Sequence, residues 1–246
     1  SYSGQIRRPL KAIPAMPLNE RKVIARRCAM EVPAGAVLNL GVGIPADMGS
    51  VITEEGLLDQ VTMSAESGMI GGVMCPLPNF GSSYNPECTL EHNAIFDMIH
   101  GGGLDITCLG LGECDEEGNI NVSKFGPRLS GPGGFIDITN ATPRVVFCGT
   151  FMGKAKCAVG DGKLTIVQEG TIKKFLKHVE QITFAGRYAK PGQEILYVTE
   201  RCVFQLIDGK MTLTEIAPGV ELERDILAHM DFTPVISPDL KTMDPG

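Results

Sequence analysis

The sequence predicts an α/β fold built on a mixed, largely parallel sheet flanked by helices, with hairpins towards the C-terminus. Three observations predict it. Short apolar runs bounded by Gly, Pro or Asp suit strands covered on both faces. Helix-type segments alternate with these runs before about residue 160. Beyond that point, short strands follow one another across Asp-Gly turn signals.

Taken in order, residues 1–18 are rich in Pro and basic side chains and show no periodicity, so they read as an extended arm or linker packed on something else, with residues 19–246 as one domain. Asn19 fits a helix N-cap, with Glu20 in the first turn and Val23, Ile24 and Met30 at near-helical spacing, until Pro33-Ala34-Gly35 stops the helix. Ala36–Leu40 is a strand ending in the corner Gly41-Val42-Gly43-Ile44-Pro45, after which Ala46–Glu55 forms a helix that Gly56 terminates. Val61–Met63 opens a second strand leading into Ala65-Glu66-Ser67-Gly68. Leu104–Leu111 and Arg144–Gly149 read as buried strands, and Ile172–Val179 has the apolar spacing of a helix. Lys163–Gln168, Ile195–Thr199, Cys202–Ile207 and Lys210–Glu215 read as strands of hairpins turning at Asp161-Gly162 and Asp208-Gly209. Glu221–Met230 is a last helix before a Pro-punctuated tail.

Composition narrows the function classes. A net charge of −7 creates no field that would gather nucleic acid or an anionic membrane surface. Residues 1–31 reverse that sign, with seven basic side chains against Glu20 and Glu31; this reads as a solvated helix face or as contact with a phosphate or acidic surface. The eight cysteines include no Cys-x-x-Cys pair and no His at metal-ligand spacing, so no metal site is expected and most read as small buried hydrophobes in a reducing compartment, cytoplasm or mitochondrial matrix. No apolar run approaches the roughly 20 residues that span a bilayer. The opening Ser-Tyr-Ser-Gly reads as a processed or dissected chain.

Chemistry is suggested by glycine. Of the 30 glycines, eleven cluster at Gly41/Gly43, Gly68/Gly71/Gly72, Gly101–Gly103 and Gly131/Gly133/Gly134, each beside an expected strand, which predicts loops converging at one end of a sheet. Amides exposed at such corners make anion nests or oxyanion holes. Glu66 stands in one corner among small residues, with no charged neighbour in sequence to pair with it.

The set Asn39-Leu-Gly-Val-Gly-Ile-Pro45, Ser64-Ala-Glu-Ser-Gly68, Gly101-Gly-Gly-Leu-Asp105 and Phe125-Gly-Pro-Arg-Leu-Ser-Gly-Pro-Gly-Gly-Phe-Ile-Asp137, from about Glu20 to Pro218, resembles the β half of family I coenzyme A transferases, in their acetate/propionate and 3-oxoacid branch. Where that family often has Asn after its catalytic Glu, this chain has Ser67, a departure that bears on branch. The resemblance implies a fold of that type, Glu66 as catalytic nucleophile, and transfer of CoA between a short-chain acyl-CoA and a carboxylic acid through an acyl-glutamyl anhydride and a glutamyl-CoA thioester. It further implies substrate-binding and oxyanion roles for Gly41, Gly43, Gly131, Gly133 and Gly134, coenzyme A as substrate with no separate cofactor, an α half fused or separate, and a homo-oligomer. By the same resemblance, residues 1–18 are the linker joining the halves. An acyl-CoA hydrolase, or a non-catalytic metabolite-binding module, stands as the alternative. His92 and His100 read as structural, since the mechanism needs no general base; Asp105 and Arg128 read as loop-holding, and Tyr84, Asn85 and Glu87 as neighbours of an acyl pocket.

Overall fold

The computed structural model describes residues 2–244; residue 1 of the expected arm and residues 245–246 of the expected domain lie outside the described residues. Ten strands make one mixed sheet. They are β1 (Val37–Leu40), β2 (Thr62–Ser64), β3 (Met69–Ile70), β4 (Cys88–Thr89), β5 (Ile106–Gly110), β6 (Arg144–Cys148), β7 (Glu194–Val198), β8 (Cys202–Ile207), β9 (Lys210–Ile216) and β10 (Val235–Thr242). Their spatial order is β10-β9-β8-β7-β6-β5-β1-β2-β3-β4. The five central strands β7, β6, β5, β1 and β2 run parallel. On one side β3 and β4 continue antiparallel. On the other, β7, β8 and β9 form an antiparallel meander to which β10 adds a parallel edge.

The alternation of apolar side chains explains why the sheet is covered on both faces. Val146, Cys148, Leu196 and Val198 point to the face packed by α1 (Glu20–Ala29) and α2 (Ile44–Glu54), where Ile24, Cys28, Met48 and Ile52 are buried. Their neighbours Val145, Phe147, Ile195 and Tyr197 point to the opposite core, which α3 (His92–His100) and α4 (Phe135–Ala141) enter through Ile95, Ile99, Phe135 and Ile138. Cys28 on the inner face of α1 and Cys108 and Cys148 on the sheet are buried, and all eight cysteines are free thiols.

Helix α1 starts where its cap dictates, the Asn19 side chain accepting from the Lys22 amide at 3.0 Å. Four of the seven basic side chains in the first 31 residues are paired with carboxylates inside the molecule. Arg21 meets Asp47 at 2.6 Å, Lys22 meets Glu54, and Arg26 meets Glu55 at 2.7 Å, so three pairs lace α1 to α2. Arg27 grips Glu215 of β9 with two N–H groups at 2.8 and 2.7 Å and Glu31 with a third at 2.6 Å. Residues before the helix fold back: the amide of Arg8 donates to Asn85 Oδ1 at 2.7 Å, Asn85 Nδ2 donates to the Arg8 carbonyl at 2.8 Å, and Tyr2 stacks on Tyr84.

Three expectations are corrected. Ile172–Val179 is not a helix but two short strands, Ile172–Lys173 and Phe175–Leu176. Phe175 is drawn into the core between Phe151 and Phe204, and its strand pairs in parallel with Glu113–Asp115. Glu221–Met230 is not an α-helix. It is a π turn, Leu222–Ile226, followed by a 3-10 turn, Leu227–His229. Asp225 accepts from the Glu221 amide and from Arg224, drawing the local backbone away from regular helical bonding. The tail is not irregular throughout, because residues 235–242 form β10. Both Asp-Gly hairpins are present; Asp161 and Asp208 adopt φ of 52° and 50° and the glycines after them 67° and 69°, the left-handed pair of a type I′ turn. Among the described residues no helix is long and apolar enough to cross a membrane.

Candidate active site

The parallel strands point their carboxyl ends in one direction, and two of the corners singled out from the sequence follow those ends, whereas Gly101–Gly103 lie between α3 and the start of β5, and Gly131, Gly133 and Gly134 lead into α4. Gly41 comes directly after β1 and Glu66 lies two residues after β2. The turn at Glu66 is tied down by the Gly68 amide donating to the Ala65 carbonyl at 2.9 Å and by the Ala65 amide donating to the Met69 carbonyl at 3.0 Å. Gly68 cannot carry a side chain, since its φ is +100° and a Cβ would come within 2.1 Å of the Leu90 carbonyl.

Glu66 borders a cavity of about 700 Å³ together with Ser67, Phe80, Gly81, His92, Phe96, His100, Gly133, Gly134 and Asp137. Its Oε2 is buried and makes no hydrogen bond among the described residues. Burial pushes the carboxyl pKa above the ordinary glutamate value, and the neighbouring His92 opposes that shift. An oxygen held away from water and without a donor keeps its lone pairs available for bonding to carbon.

The glycines divide into two groups. Gly133 and Gly134 line the cavity, and among the described residues their amides donate to no acceptor. A Cβ on Gly134 would lie 2.2 Å from Glu66 Oε2 and 2.7 Å from the Phe96 ring, so only hydrogen fits there. Gly41, Gly43 and Gly131 do not line the cavity. The Gly41 amide donates to the Cys108 carbonyl at 2.9 Å and the Gly131 amide to the Ser123 carbonyl at 3.0 Å, so neither is free to meet a ligand oxygen. Gly43 caps α2 with φ +92° and ψ −129°, a backbone shape that excludes side chains.

Several cavity residues escaped the sequence reading. His92 and His100, expected to be structural, both face the cavity with Phe96 between them. Spacing of four residues along α3 puts the three rings in one stripe, with His92–Phe96 centroids 5.2 Å apart and Phe96–His100 centroids 6.2 Å apart. That i, i+4, i+8 pattern was the available signal. His100 Nε2 lies 2.9 Å from Asp137 Oδ1, joining the last turn of α3 to the first turn of α4. Ser67 Oγ donates to the Gly81 carbonyl at 2.7 Å, stapling the Phe80 turn to the residue beside Glu66. Tyr84, Asn85 and Glu87 do not border this cavity. Tyr84 and Asn85 hold the N-terminal arm, and Glu87 packs beneath Gly71. Asp105 accepts from the Val37 amide at 2.7 Å, fixing the start of β1, whereas Arg128 lies exposed in the short strand Arg128–Leu129. Among the described residues no group of three or more His, Cys, Asp or Glu side chains is placed to hold a metal ion.

No protein-family model matches the chain. Individual relatives do. A caffeate CoA-transferase of Acetobacterium woodii is 58% identical over all of this chain and 48% of its own length. The acetate CoA-transferase subunit beta of Escherichia coli K12 is 31% identical over 83% of this chain and 89% of that subunit. The crystal structure of the acyl-CoA transferase YdiF of Escherichia coli O157:H7, in a thioester complex with CoA, superposes with a TM-score of 0.87 at 46% identity, over 95% of this chain and 45% of that one. The chain thus spans about half the length of the long curated relatives it matches and nearly all of a beta subunit.

Proposed function

Because the chain belongs to the family I CoA-transferases, as their β half, we propose that Glu66 is the nucleophile through which CoA passes from an acyl-CoA to a carboxylic acid. The observation that carries this reading is Glu66 Oε2, buried without a hydrogen-bond partner against Gly134, with the unused amides of Gly133 and Gly134 lining the same cavity. The sequence of bonds follows. Glu66 oxygen attacks the thioester carbon, the C–S bond breaks, and CoA leaves as thiolate, so an acyl-glutamyl anhydride remains. The thiolate then attacks the glutamyl carbonyl carbon, releasing the acyl group as a carboxylate and leaving a glutamyl-CoA thioester. An acceptor carboxylate reverses both steps and departs as the new acyl-CoA. Each oxyanion formed on the way needs donors, and the amides of Gly133 and Gly134 are the candidates at hand, a single such donor contributing roughly 100- to 1,000-fold in rate.

The span of the chain relative to YdiF and to the beta subunit supports an enzyme completed by an α half, fused or separate. Names of relatives bracket the acyl range between acetate and the aryl acid caffeate. The test uses the complete enzyme incubated with acetyl-CoA and no acceptor, followed by digestion and mass spectrometry. A CoA-sized increment on the peptide carrying Glu66 is expected, discharged by added acetate. Glu66→Gln should show no increment and a turnover at least about 10⁴-fold lower. Full activity in that variant, or the increment on another residue, overturns the proposal; steady release of free CoA without any acceptor identifies a hydrolase instead.

A further inference from the structure

Two helices meet at the nucleophile, and one polar link joins them. The point where a Gly134 Cβ would stand is 2.2 Å from Glu66 Oε2 and 2.7 and 3.0 Å from two atoms of the Phe96 ring. Ring edge, glycine and carboxyl oxygen therefore share one spot. Phe96 belongs to α3 and Gly134 caps α4, so the spacing of those helices sets the room left to the oxygen. Oε2 has no hydrogen bond among the described residues, and packing decides where it rests. On the core side the helices share a cluster through Ile95, Ile99, Phe135 and Ile138. On the cavity side, the one hydrogen bond between them among the described residues is donated by His100 Nε2 to Asp137 Oδ1, at 2.9 Å. It lies about one turn from the shared spot along each helix, four residues beyond Phe96 and three beyond Gly134. His100 ends α3 and Asp137 stands in the first turn of α4, the helix ends that suit a cation and an anion. Both side chains are about half exposed, 52% and 48%, so as a surface pair they add little to stability. A link that holds so little of the fold, yet stands one turn from the seat of the nucleophile, is placed for position rather than strength.

Resting on the transferase reading, we infer that His100 and Asp137 are a positioning pair for the reaction: their hydrogen bond sets the gap between α3 and α4, and with it the aim of Glu66 Oε2 at the thioester carbon. Neither residue takes part in bond making. With the pair broken, the helices pivot on their apolar contacts, Phe96 draws away from Gly134, and the oxygen gains room to swing into other rotamers and to take up water.

The experiment uses the complete enzyme with saturating acetyl-CoA and no acceptor, and reads the rate at which the CoA increment grows on the Glu66 peptide. His100→Ala and Asp137→Ala should each slow it roughly tenfold, since a nucleophile misaimed by a fraction of an ångström loses about that much, while KM for acetyl-CoA stays within about twofold of the unsubstituted value. The double variant should be no slower than either single one, because the bond is lost only once. His100→Arg, whose guanidinium also donates to a carboxylate, should restore most of the rate. In a Gly134→Ala background, where the methyl already displaces the carboxyl, His100→Ala should slow the reaction by less than about twofold. Melting temperatures of the single variants should fall by no more than about 3 °C, which separates the effect from poor folding. A full rate in His100→Ala, independent losses that multiply in the double variant, or a rise in KM that accounts for the whole loss overturns the inference. Should the unsubstituted enzyme form no CoA adduct, the transferase reading fails by itself; the pair is then judged by the rate at which a water-soluble carbodiimide and glycine ethyl ester label Glu66, expected to rise several-fold in His100→Ala, and equal labelling overturns the pair as well.

Discussion

A carboxylate oxygen that loses its water without gaining a donor costs the folded state something, and Glu66 Oε2 is such an atom. Its pKa is raised by burial, so the folded protein holds that proton to higher pH than the unfolded chain does. Stability contributed at this position is therefore present at acid pH and lost as pH rises through the folded-state value. Glu66→Gln should unfold like the unsubstituted chain below the ordinary glutamate pKa and be more stable at neutral pH, by about 1 kcal/mol, the usual gain when a functional group is neutralised. Thermal melts at several pH values decide this. Formation of the CoA adduct should rise with pH across a midpoint above the ordinary glutamate value, because only the ionised form attacks. Gly134→Ala tests the fit from the other side: a methyl placed 2.2 Å from Oε2 must displace the carboxyl, and misplacement on that scale should lower kcat/KM about 100-fold. At this scale the sequence was partly legible. Glu66 stood out because its neighbours are small and uncharged, but which glycine amides are free depends on partners as distant as Ser123 for Gly131 and Cys108 for Gly41.

Helix α1 shows how a charge pattern misleads when read without its partners. Its basic residues are answered by Asp47, Glu54 and Glu55 on α2 and by Glu215 on β9, all too far along the chain for a local window to join them. Arg27 is the buried member, and Arg27→Met should cost about 3 kcal/mol in urea unfolding, since Glu215 would keep its charge without a counterion. Adding Glu215→Leu to that variant should recover most of the loss. Asn19→Ala should cost about 1 kcal/mol through the lost cap. Elements with local signatures were legible: the Asn19 cap, the Asp-Gly hairpins and the apolar runs of β1, β5 and β6 stand where the residues place them. Residues 172–179 were not, because a spacing that suits a helix also suits a strand whose Phe175 is claimed by Phe151 and Phe204.

Across the whole molecule the sheet ends in two edges of different character. β4 is only two residues long, whereas β10 has eight and is mostly exposed. That long edge is blunted by Pro238, Asp239 and Lys241, and its register against β9 slips where Ile236 gives way to Lys241. Replacing Pro238 and Lys241 together by Val should promote self-association, visible as added mass in sedimentation. The sheet order itself could not be read from composition. The parallel centre follows from helix-strand alternation, but nothing local announces that residues 235–242 return to lie beside β9. One further link joins the ends of the reactive hollow. The hydroxyl bond from Ser67 to the Gly81 carbonyl holds the Phe80 turn against the residue next to Glu66, so the placement of that turn and of the backbone at Glu66 is set together. Ser67→Ala, by removing that bond, should lower kcat/KM of the complete enzyme in steady-state assays.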